Sequence, residues 1–334
     1  MGRWFSDRLL AGWYSTRPVW FLVPFAWLFG MLPALRRAAY RYGVFNTATL
    51  PVPVIVAGNI SVGGTGKTPF ILWLARALKD RGHAPGIVTR GYGGSARDPC
   101  LVTPESDPGV VGDEAVLLAR RSGVPVAAGR DRVAAVRLLL ASSRLDLILS
   151  DDGLQHYHLP RALEIVLLDG ARGLGNGWLL PAGPLREKPE RLDAVGLVVI
   201  KRGGTAVFSR AGAAIMDLSQ DAMVSLKDGE RLPLASFAGQ AVHAVAGVGH
   251  PEQFFKALES SGLKIDRRPL PDHARLGARE LRFDDELPVF MTEKDAVKCL
   301  DMDLPRHWYV EASANFNGSD ARRILTAVEA LLTK

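Results

Sequence analysis

The hydrophobic pattern of this chain alternates between that of strands and that of helices. Short apolar runs at 52–58, 145–150 and 165–169 are typical of strands buried in a parallel sheet, and further strands are predicted at 195–200, 242–246 and 289–291. Residues 70–79 instead repeat apolar side chains every three or four positions, which predicts an amphipathic helix. This alternation predicts an α/β fold of mainly parallel sheets flanked by helices.

The N-terminal segment has a different composition. Residues 18–35 carry no charge, are rich in Trp and Phe, and have arginines on both sides. Such a segment lies at the lower limit for crossing a membrane, and Pro24 and Pro33 would bend a helix there. We therefore expect residues 1–40 to be a membrane-anchoring segment that either spans the membrane or lies in it. The alternative is a hairpin of two helices buried inside a soluble fold.

The residues before this segment predict a second kind of membrane contact. Phe5, Leu9 and Trp13 recur every four residues, which is the period of an amphipathic helix that would lie in the membrane interface. No small-residue cleavage site follows the apolar run, so a removable signal peptide is not expected.

Charge and cysteine content narrow the class of partner. Residues 1–45 contain six arginines and one aspartate, so most of the formal net charge of +6 lies at the N-terminus. The rest of the chain is nearly neutral, and the bulk charge does not support a nucleic-acid partner. Cys100 and Cys299 are far apart and have no C-x-x-C partner, which fits a reducing compartment and indicates neither a disulfide framework nor a cysteine zinc site.

A glycine-rich loop, N-I-S-V-G-G-T-G-K-T-P, lies between the first predicted strand and the following helix. Strand, glycine loop and helix form the context in which a phosphate-binding loop occurs. Backbone N–H groups at Gly63, Gly64 and Gly66 would surround the β- and γ-phosphates of a nucleotide. Lys67 would place a positive charge on the transferring phosphate, and Thr68 would offer its hydroxyl to Mg²⁺.

Two positions of this loop depart from related loops. Ser61 stands where the G-x-x-x-x-G-K-[ST] pattern has its first glycine, the position least critical for phosphate contact. We still expect Ser61–Thr68, including Val62 and Thr65, to bind the nucleotide. Val62 stands where partitioning and metal-delivery ATPases have a signature lysine, so the similarity to those dimeric switch ATPases is incomplete.

Two carboxylates end another predicted strand. Asp151 and Asp152 follow the run at 145–150, and ligands of open α/β sheets bind beyond the carboxyl ends of the strands. In phosphate-loop proteins an acid at this point holds or orients Mg²⁺, directly or through water. The alternative is a solvated D-D-G turn. The metal role is favoured because an apolar run followed by an acid is the second half of the nucleotide-binding signature.

Several shorter motifs carry little information singly, but their order is specific. G-D-E alone is typical of a helix N-terminus, and P-D-H alone is typical of a surface turn. Between residues 58 and 298 the chain contains, in order, G-N-I-S-V-G-G-T-G-K-T-P, T-R-G-Y-G, V-G-D-E, D-D-G-L-Q-H, P-A-G-P-L-R-E, P-D-H and T-E-K-D-A-V-K. In this order the motifs resemble the tetraacyldisaccharide 4′-kinase family of lipid A biosynthesis, over nearly the whole chain.

This resemblance implies an ATP- and Mg²⁺-dependent kinase. Its reaction would transfer the γ-phosphoryl group of ATP to the 4′-hydroxyl of a tetraacylated glucosamine disaccharide 1-phosphate and form lipid IVA. The enzyme would work at the cytoplasmic face of the inner membrane, where the N-terminal anchor holds it near the sugar of its lipid substrate. No nucleic acid and no obligatory protein partner are expected.

The resemblance also implies roles for individual residues. Asp113 of G-D-E would accept the proton of the sugar hydroxyl, and His273 of P-D-H would support it. The residues implied around ATP are Gly63–Thr68, those around Mg²⁺ are Thr68, Asp151, Asp152 and Glu187, and those that contact substrate anions are Arg90, Arg132 and Arg186. The family commonly has a second histidine after P-D-H, where this chain has Ala274.

The length of 334 residues exceeds the usual size of a single hydrophobic core. We predict a phosphate-loop domain at 41–205 and a second, smaller α/β domain at 206–334.

Two other functions are compatible with the residues alone. A membrane-associated switch-type ATPase that acts on a protein partner would release only inorganic phosphate, and a structural membrane protein with a degenerate loop would not bind ATP.

Overall fold

The computed structural model describes residues 12–15, 18–203, 208–249, 251–272, 274 and 276–332. The strands in these residues are β1 (Val54–Gly58), β2 (Pro85–Thr89), β3 (Cys100–Val102), β4 (Val126–Ala128), β5 (Leu147–Asp151), β6 (Leu163–Asp169), β7 (Leu197–Lys201), β8 (Ala214–Ser225), β9 (Arg231–Pro233), β10 (Ala241–Ala246), β11 (Lys264–Pro269), β12 (Val289–Thr292) and β13 (His307–Phe316). The helices are α1 (Val23–Arg41), α2 (Lys67–Lys79), α3 (Pro108–Val111), α4 (Asp113–Ser122), α5 (Arg132–Ser142), α6 (Pro251–Ser260), α7 (Ala278–Leu281), α8 (Glu293–Ala296) and α9 (Gly318–Glu329). Single 3₁₀ turns occur at Trp20–Leu22, Pro189–Asp193 and Leu234–Phe237.

These strands form one mainly parallel sheet. Its order is β11-β10-β12-β13-β8-β7-β6-β1-β5-β2-β4-β3, with β9 paired to β8. Only the pairs β8–β13, β8–β9 and β3–β4 are antiparallel among the described strands. The predicted α/β class is confirmed, and the six predicted strands correspond to β1, β5, β6, β7, β10 and β12. β1 is buried at every position, which explains why its sequence is apolar throughout.

The central strands bring the predicted motifs together. β1 pairs in parallel with β5 on one side and with β6 on the other. Ala57 of β1 stands beside Asp151 of β5, so the glycine loop after β1 and the carboxylates that end β5 leave the sheet side by side. Both therefore lie at the carboxyl edge, where open α/β sheets bind their ligands.

A long antiparallel ribbon of β8 and β13 joins two parallel blocks of strands. β7 ends against β8 at Met216, whereas β12 ends beside Val310 of β13, which in turn pairs with Met223 of β8. Because the two ribbon strands run in opposite directions, the carboxyl ends of the two blocks face each other across the middle of the ribbon. The ribbon is thus the floor of a cleft, and both walls of that cleft are carboxyl edges.

Helices cover both faces of the sheet around β1, whose alternate residues point into two hydrophobic clusters. One cluster includes Phe70 and Leu74 of α2 and Leu118 of α4, and the other includes Val136 and Leu139 of α5. The layered α/β arrangement therefore encloses a core on each face of the central strands, and it holds the carboxyl edge rigid.

The predicted boundary between 205 and 206 lies outside the described residues, so the division into two domains stays a prediction. The sheet continues on either side of this point through the parallel pair β7–β8. Ile324 and Val328 of α9, which follow the boundary, pack in the same cluster as α2, and Arg81 contacts Glu329 at 2.9 Å. The end of the chain thus returns to the block that carries the glycine loop.

The helix α1 lies outside these layers. Val23 and Ala26 are buried against Ala182, and a Cβ at Gly30 would collide with the side chain of Leu179. The large apolar side chains of this region that are more than half exposed are Trp20, Phe21, Phe25, Trp27, Leu28, Met31, Leu32 and Leu35. The segment is long and apolar enough to cross a membrane, and only 11% of its apolar window is buried in the protein. It is therefore not the core helix that a buried hairpin would require.

Part of the predicted amphipathic helix can be located. Phe5 and Leu9 lie outside the described residues, but Trp13 is 8% exposed and its indole N–H donates to Pro181 O at 2.9 Å. This member of the predicted apolar face contacts the protein and not a membrane interface, because the indole N–H finds its acceptor in the chain.

Candidate active site

The glycine loop has a conformation that can surround a phosphate. Gly66, the residue before α2, has a φ of 80°, a left-handed conformation that glycine adopts without strain. α2 begins at Lys67, so its first N–H groups have no partner within the helix and face the loop. Gly63 and Gly64 at the apex are exposed, whereas Thr68 is buried. This arrangement of N–H groups at a helix N-terminus favours an anion.

The first half of the loop is held by the P-A-G-P-L-R-E segment. Ser61 forms a bridge with Leu185, and the N–H of Val62 donates to Pro184 O at 2.9 Å. Ser61 is buried in this contact, so the residue that replaces the first glycine is part of the packed base of the loop.

Three charged residues that were not predicted from the sequence fix the apex of the glycine loop through a hydrogen bond to the Gly64 carbonyl. Arg172 donates to Gly64 O at 2.6 Å and to Asp169 Oδ2 at 3.2 Å, and Lys201 Nζ lies 2.6 Å from the same carboxylate. Burial acts to raise the pKa of Asp169, but Lys201 and Arg172 outweigh it and keep the pKa below its usual value. Asp169 and Lys201 end apolar strands, which is the signal that could have found them.

Lys67 is at the centre of a charge network. Its Nζ lies 3.3 Å from Asn59 Oδ1 and 3.5 Å from Asp152 Oδ1. The second oxygen of Asp152 lies 3.4 Å from Arg186 Nη1. Burial acts to raise the pKa of Asp152, but Lys67 and Arg186 outweigh it, so the pKa is lowered and the carboxylate is ionised at neutral pH.

Asp151 has a different environment. It is 1% exposed, and its Oδ1 has no hydrogen-bond partner within the described part of the chain. Burial, together with the nearby Glu114 carboxylate, raises the pKa of Asp151 to about 7. A buried carboxylate oxygen without a partner is unfavourable unless a cation joins it. Asp151 therefore fits the donor set of a magnesium ion.

Glu187, another predicted magnesium ligand, already has a partner in the protein. Glu187 accepts a hydrogen bond from Arg191 Nε at 3.0 Å, and burial raises its pKa. No three His, Cys, Asp or Glu side chains among the described residues are close enough to hold a metal ion by themselves. Mg²⁺ bound with a nucleotide usually takes only one or two carboxylates, the remaining ligands being phosphate oxygens and water. The assignment of Thr68, Asp151, Asp152 and Glu187 to Mg²⁺ stays a prediction.

The predicted anion contacts also differ from one another. Arg90 is exposed, and Arg186 faces Asp152. Arg132 is 2% exposed and donates to Gly129 O at 2.6 Å and to Asp151 O at 3.2 Å. Burial lowers the pKa of Arg132 to about 10, so it stays protonated while it fixes the backbone of Asp151. For all three arginines a contact with substrate stays a prediction.

Asp113 opens α4 and is 6% exposed. The glycines of T-R-G-Y-G-G and G-D-E explain its position, because a Cβ at Gly91 would lie 2.8 Å from Val111 O and one at Gly112 would lie 2.6 Å from Tyr92 O. Both glycines also have positive φ. The two loops thus pack backbone against backbone, and this close contact fixes the start of α4, where Asp113 stands.

The T-E-K-D-A-V-K segment supplies two lysines for which no role was predicted. Lys294 forms an ion pair with Glu114, and Lys298 Nζ lies 3.9 Å from Asp113 Oδ2. Burial acts to raise the pKa of Glu114, but the Lys294 ammonium outweighs this effect and lowers it. Burial likewise acts to lower the pKa of Lys294, but the Glu114 carboxylate outweighs this effect and raises it. Both side chains are therefore charged. The position of both lysines just after the apolar strand β12 is the signal that could have found them.

His273 lies outside the described residues, so its predicted contact with Asp113 stays a prediction. The neighbouring chain can be located, because a Cβ at Gly247 would lie 2.9 Å from Asp295 Oδ1 and 3.3 Å from Pro271 O. Asp295 also binds the lysine that approaches Asp113, at 2.9 Å. Pro271, the first residue of P-D-H, therefore lies near Asp295, the residue that also binds Lys298.

A cavity of about 260 Å³ lies in the cleft between the glycine loop and the C-terminal half of the chain. One wall is formed by Gly64–Pro69, the opposite wall includes Phe254 and Lys294, and Val310 and Ala312 of β13 lie on the floor. The cavity therefore has the position expected for the phosphates and part of the nucleotide.

A larger cavity of about 750 Å³ lies beneath the C-terminal half of α1. Gly30, Pro33 and Ala34 give it an apolar side. Six basic side chains line it, Arg37, Arg41, Arg161, Arg186, Lys188 and Arg191, together with three acidic ones, Glu164, Glu187 and Glu190. Since Arg186 also contacts Asp152, this cavity adjoins the charge network around the glycine loop.

Comparisons with known proteins show the family of this chain. The family described as tetraacyldisaccharide-1-P 4′-kinase matches residues 18–330. The chain belongs to this family. A tetraacyldisaccharide 4′-kinase from Nitrosococcus oceani is 46% identical over 97% of this chain and 95% of its own length. Another, from Alkalilimnicola ehrlichii, is 49% identical over 92% of this chain and 93% of its own.

A solved structure of the tetraacyldisaccharide 4′-kinase family has the same fold. It is the "apo" form of LpxK from Aquifex aeolicus in complex with ATP. The TM-score is 0.80 and the sequence identity is 27%, with 93% of this chain and 98% of that chain covered. The resemblance seen in the order of the motifs is therefore confirmed over nearly the whole chain.

Proposed function

We propose that this tetraacyldisaccharide 4′-kinase family member transfers the γ-phosphoryl group of ATP to the 4′-hydroxyl of a tetraacylated glucosamine disaccharide 1-phosphate, which yields lipid IVA. The observation that carries the proposal is the series of contacts Lys67–Asp152–Arg186, which connects the glycine loop to the basic cavity beneath α1. A nucleotide on one side and an anionic acceptor on the other would meet at these residues.

The nucleotide site is the cavity between the two walls of the cleft. The backbone at the exposed residues Gly63 and Gly64 and the N-terminus of α2 favour phosphate, and Lys67 adds a full positive charge. The solved relative in complex with ATP, which is similar over nearly its whole length, supports ATP as the nucleotide. Asn59 and Asp152 hold the Lys67 ammonium at this position before the phosphate arrives.

The transfer itself requires positioning and charge neutralisation more than covalent chemistry. The 4′-hydroxyl oxygen forms a bond to the γ-phosphorus, the bond between that phosphorus and the β,γ-bridging oxygen breaks, and ADP leaves with the electron pair. Asp113 accepts the hydroxyl proton, and His273 orients Asp113 and helps to take up the proton. Lys67 neutralises charge on the transferring group.

Mg²⁺, which accompanies ATP, supplies charge neutralisation on the phosphates when it is bound. Asp151 fits this ion because it has a buried oxygen without a hydrogen-bond partner among the described residues, and the ionised Asp152 stands next to it. Thr68 offers a hydroxyl from the loop, and Glu187 is the remaining candidate ligand.

The acceptor site is the larger cavity. Its basic side chains suit the 1-phosphate of the acceptor, and its apolar side is continuous with the exposed face of α1. Acyl chains lying along α1 would leave the sugar at the level of Arg37 and Arg41, near Arg186. The enzyme would thus take its substrate from the cytoplasmic face of the inner membrane, with α1 as its anchor.

Transfer of radiolabelled phosphate from γ-labelled ATP to the disaccharide lipid in detergent micelles tests this proposal. We expect label in the lipid, one ADP per phosphorylated lipid, and phosphorylation at the 4′-position by mass spectrometry. Lipid-independent release of inorganic phosphate, without labelled lipid, would instead indicate the switch-type ATPase.

A further inference from the structure

A lysine from the C-terminal half of the chain faces the glycine loop across the nucleotide cavity. Lys294 lies in α8, directly after β12, and lines this cavity together with Gly64–Pro69. β12 ends at the carboxyl edge that opposes the edge of β1 across the β8–β13 ribbon. Lys294 and Lys67 therefore approach the cavity from opposite walls.

Helix α4 holds Lys294 in this position. Glu114 forms an ion pair with Lys294, and Arg121 of the same helix binds both oxygens of Glu293 at 2.7 Å. Two neighbouring residues of α8 are thus fixed to one helix. Burial acts to lower the pKa of Lys294, but Glu114 outweighs it and raises the pKa, so the ammonium stays protonated.

The charges around the cavity indicate what this ammonium does. The Glu114 carboxylate interacts electrostatically with both Lys67 and Asp151. Without the positive charge of Lys294, it would place an uncompensated negative charge beside the phosphates. An ammonium has three N–H donors, and Glu114 is the only hydrogen-bond partner of Lys294 within the described part of the chain. Donors of Lys294 therefore remain for phosphate oxygens in the cavity.

We propose that Lys294 is a second phosphate-binding lysine, which contacts the γ-phosphoryl group of bound ATP from the wall opposite Lys67 and is positioned there by Glu114. This inference rests on the proposed kinase function. Lys294 stays protonated and forms no covalent bond, and it stabilises the charge on the phosphoryl oxygens during transfer. Because ADP lacks this group, the contact distinguishes ATP from ADP.

The substitution Lys294→Met removes the charge and keeps the length of the side chain. We expect the affinity for ATP relative to ADP to fall about tenfold and kcat to fall about 10²-fold, while ADP affinity changes less than about threefold. Calorimetry on the full chain in detergent gives the affinities, and label transfer gives kcat. Lys256→Met, at an exposed lysine of α6 outside the cavity, is the matched control and should retain parent values.

A purely structural ion pair gives a different result. In the double variant Glu114→Gln/Lys294→Met no charge of the pair is left unpaired, so the fold is preserved. If Lys294 merely neutralises Glu114, this variant recovers the ATP preference and kcat, whereas we expect no recovery. Recovery, or an equal loss of ATP and ADP affinity in Lys294→Met, would overturn the inference. Absence of lipid phosphorylation by the parent would refute the proposed function, and the ratio of ATP to ADP affinity would still test Lys294.

Discussion

At the scale of single residues, two adjacent carboxylates show how burial and neighbouring charges set protonation. Burial raises the pKa of Asp151 to about 7, whereas at Asp152 the cations Lys67 and Arg186 outweigh burial and lower the pKa. Neighbouring positions in the sequence thus differ in charge because their side chains point into different surroundings. A cation arriving beside Asp151 would favour its ionised form.

The substitution Lys67→Ala should lower kcat by about 10²- to 10³-fold, because the ammonium neutralises charge that develops on the phosphoryl group. The free energy of unfolding should change by less than about 1 kcal/mol, since the ion pair with Asp152 is partly exposed. Label transfer and urea unfolding measure the two quantities. Lys79→Ala, at an exposed lysine of the same helix, is the control and should keep the parent rate. Comparable lipid phosphorylation by Lys67→Ala and the parent would show that the loop is not the ATP site.

His307 should make stability depend on pH. It is 6% exposed, its Nε2–H donates to Leu281 O at 2.9 Å, and burial lowers its pKa below the usual 6.5. As the pH falls below about 6.5, His307 binds a proton in the unfolded chain more readily than in the folded protein, so the free energy of unfolding decreases. Urea unfolding at pH 7.5 and at pH 5.5 should show a smaller loss for His307→Gln than for the parent. Equal losses would contradict this role of His307.

At the scale of elements, α1 has two faces with different partners. Val23, Ala26 and Gly30 form a narrow face of small side chains that packs on the protein. The aromatic and aliphatic side chains on the rest of the helix surface are exposed. Together they form a contiguous apolar patch, whereas the exposed apolar side chains of a soluble surface are usually scattered singly. The element therefore docks on the protein through one face and leaves a large apolar face exposed, which we propose contacts lipid.

Charging the exposed face of α1 should release the protein from membranes. The triple variant Phe25→Asp/Leu28→Asp/Leu32→Asp leaves Val23, Ala26 and Gly30 unchanged, yet each aspartate costs about 2 kcal/mol or more in apolar surroundings. We expect vesicle-bound protein, measured by sedimentation, to fall more than about tenfold.

The matched control for α1 places three aspartates at exposed positions of the C-terminal half, Lys256, Arg322 and Thr326. This control lowers the net charge further than the α1 variant does. If the control still binds vesicles, the loss of binding in the α1 variant comes from the lost apolar contact and not from weaker charge attraction. Deletion of residues 1–36 should weaken binding in the same way. Full solubility of the parent without detergent would contradict the anchor.

At the scale of the whole molecule, the β8–β13 ribbon creates the cleft. It turns the C-terminal block around, so that the carboxyl edges of both blocks face one cavity. Charged contacts between α4 and α8 then join the two walls, through Arg121–Glu293 and Glu114–Lys294. The proposed site depends on both blocks, because the cavity is lined by Lys67 on one wall and by Lys294 on the other.

The proposed pair of Asp113 and His273 belongs to this scale, since the prediction joins two residues that are 160 positions apart in the chain. An isolated aspartate is a poor base for an alcohol, so His273 should orient Asp113 and share the proton. If they act as one unit, the loss of kcat in the double alanine variant should be close to that of the worse single variant. ATP affinity should survive in all three variants. Multiplicative losses would argue against the pair, and a near-normal rate for Asp113→Ala would exclude it as the base.

The sequence by itself determined the local parts of the site. Strand β1, the glycine loop and the start of α2 are contiguous in the chain, and glycine at position 66 permits the left-handed turn that the loop requires. The apolar run before Asp151 likewise indicated a buried strand that ends in an acid. Such features can be predicted because backbone conformation and strand burial depend mainly on neighbouring residues.

Only the tertiary structure decided which distant groups meet. Arg172 reaches the carbonyl of Gly64, and Lys294 reaches Glu114, across 108 and 180 positions of the chain. Neither contact follows from periodicity, because each requires the parallel order of the central strands or the reversal at the β8–β13 ribbon. The same reversal decides that two lysines of T-E-K-D-A-V-K face the acids of G-D-E. Charge pairing at this site is thus a property of strand order, which local sequence does not encode.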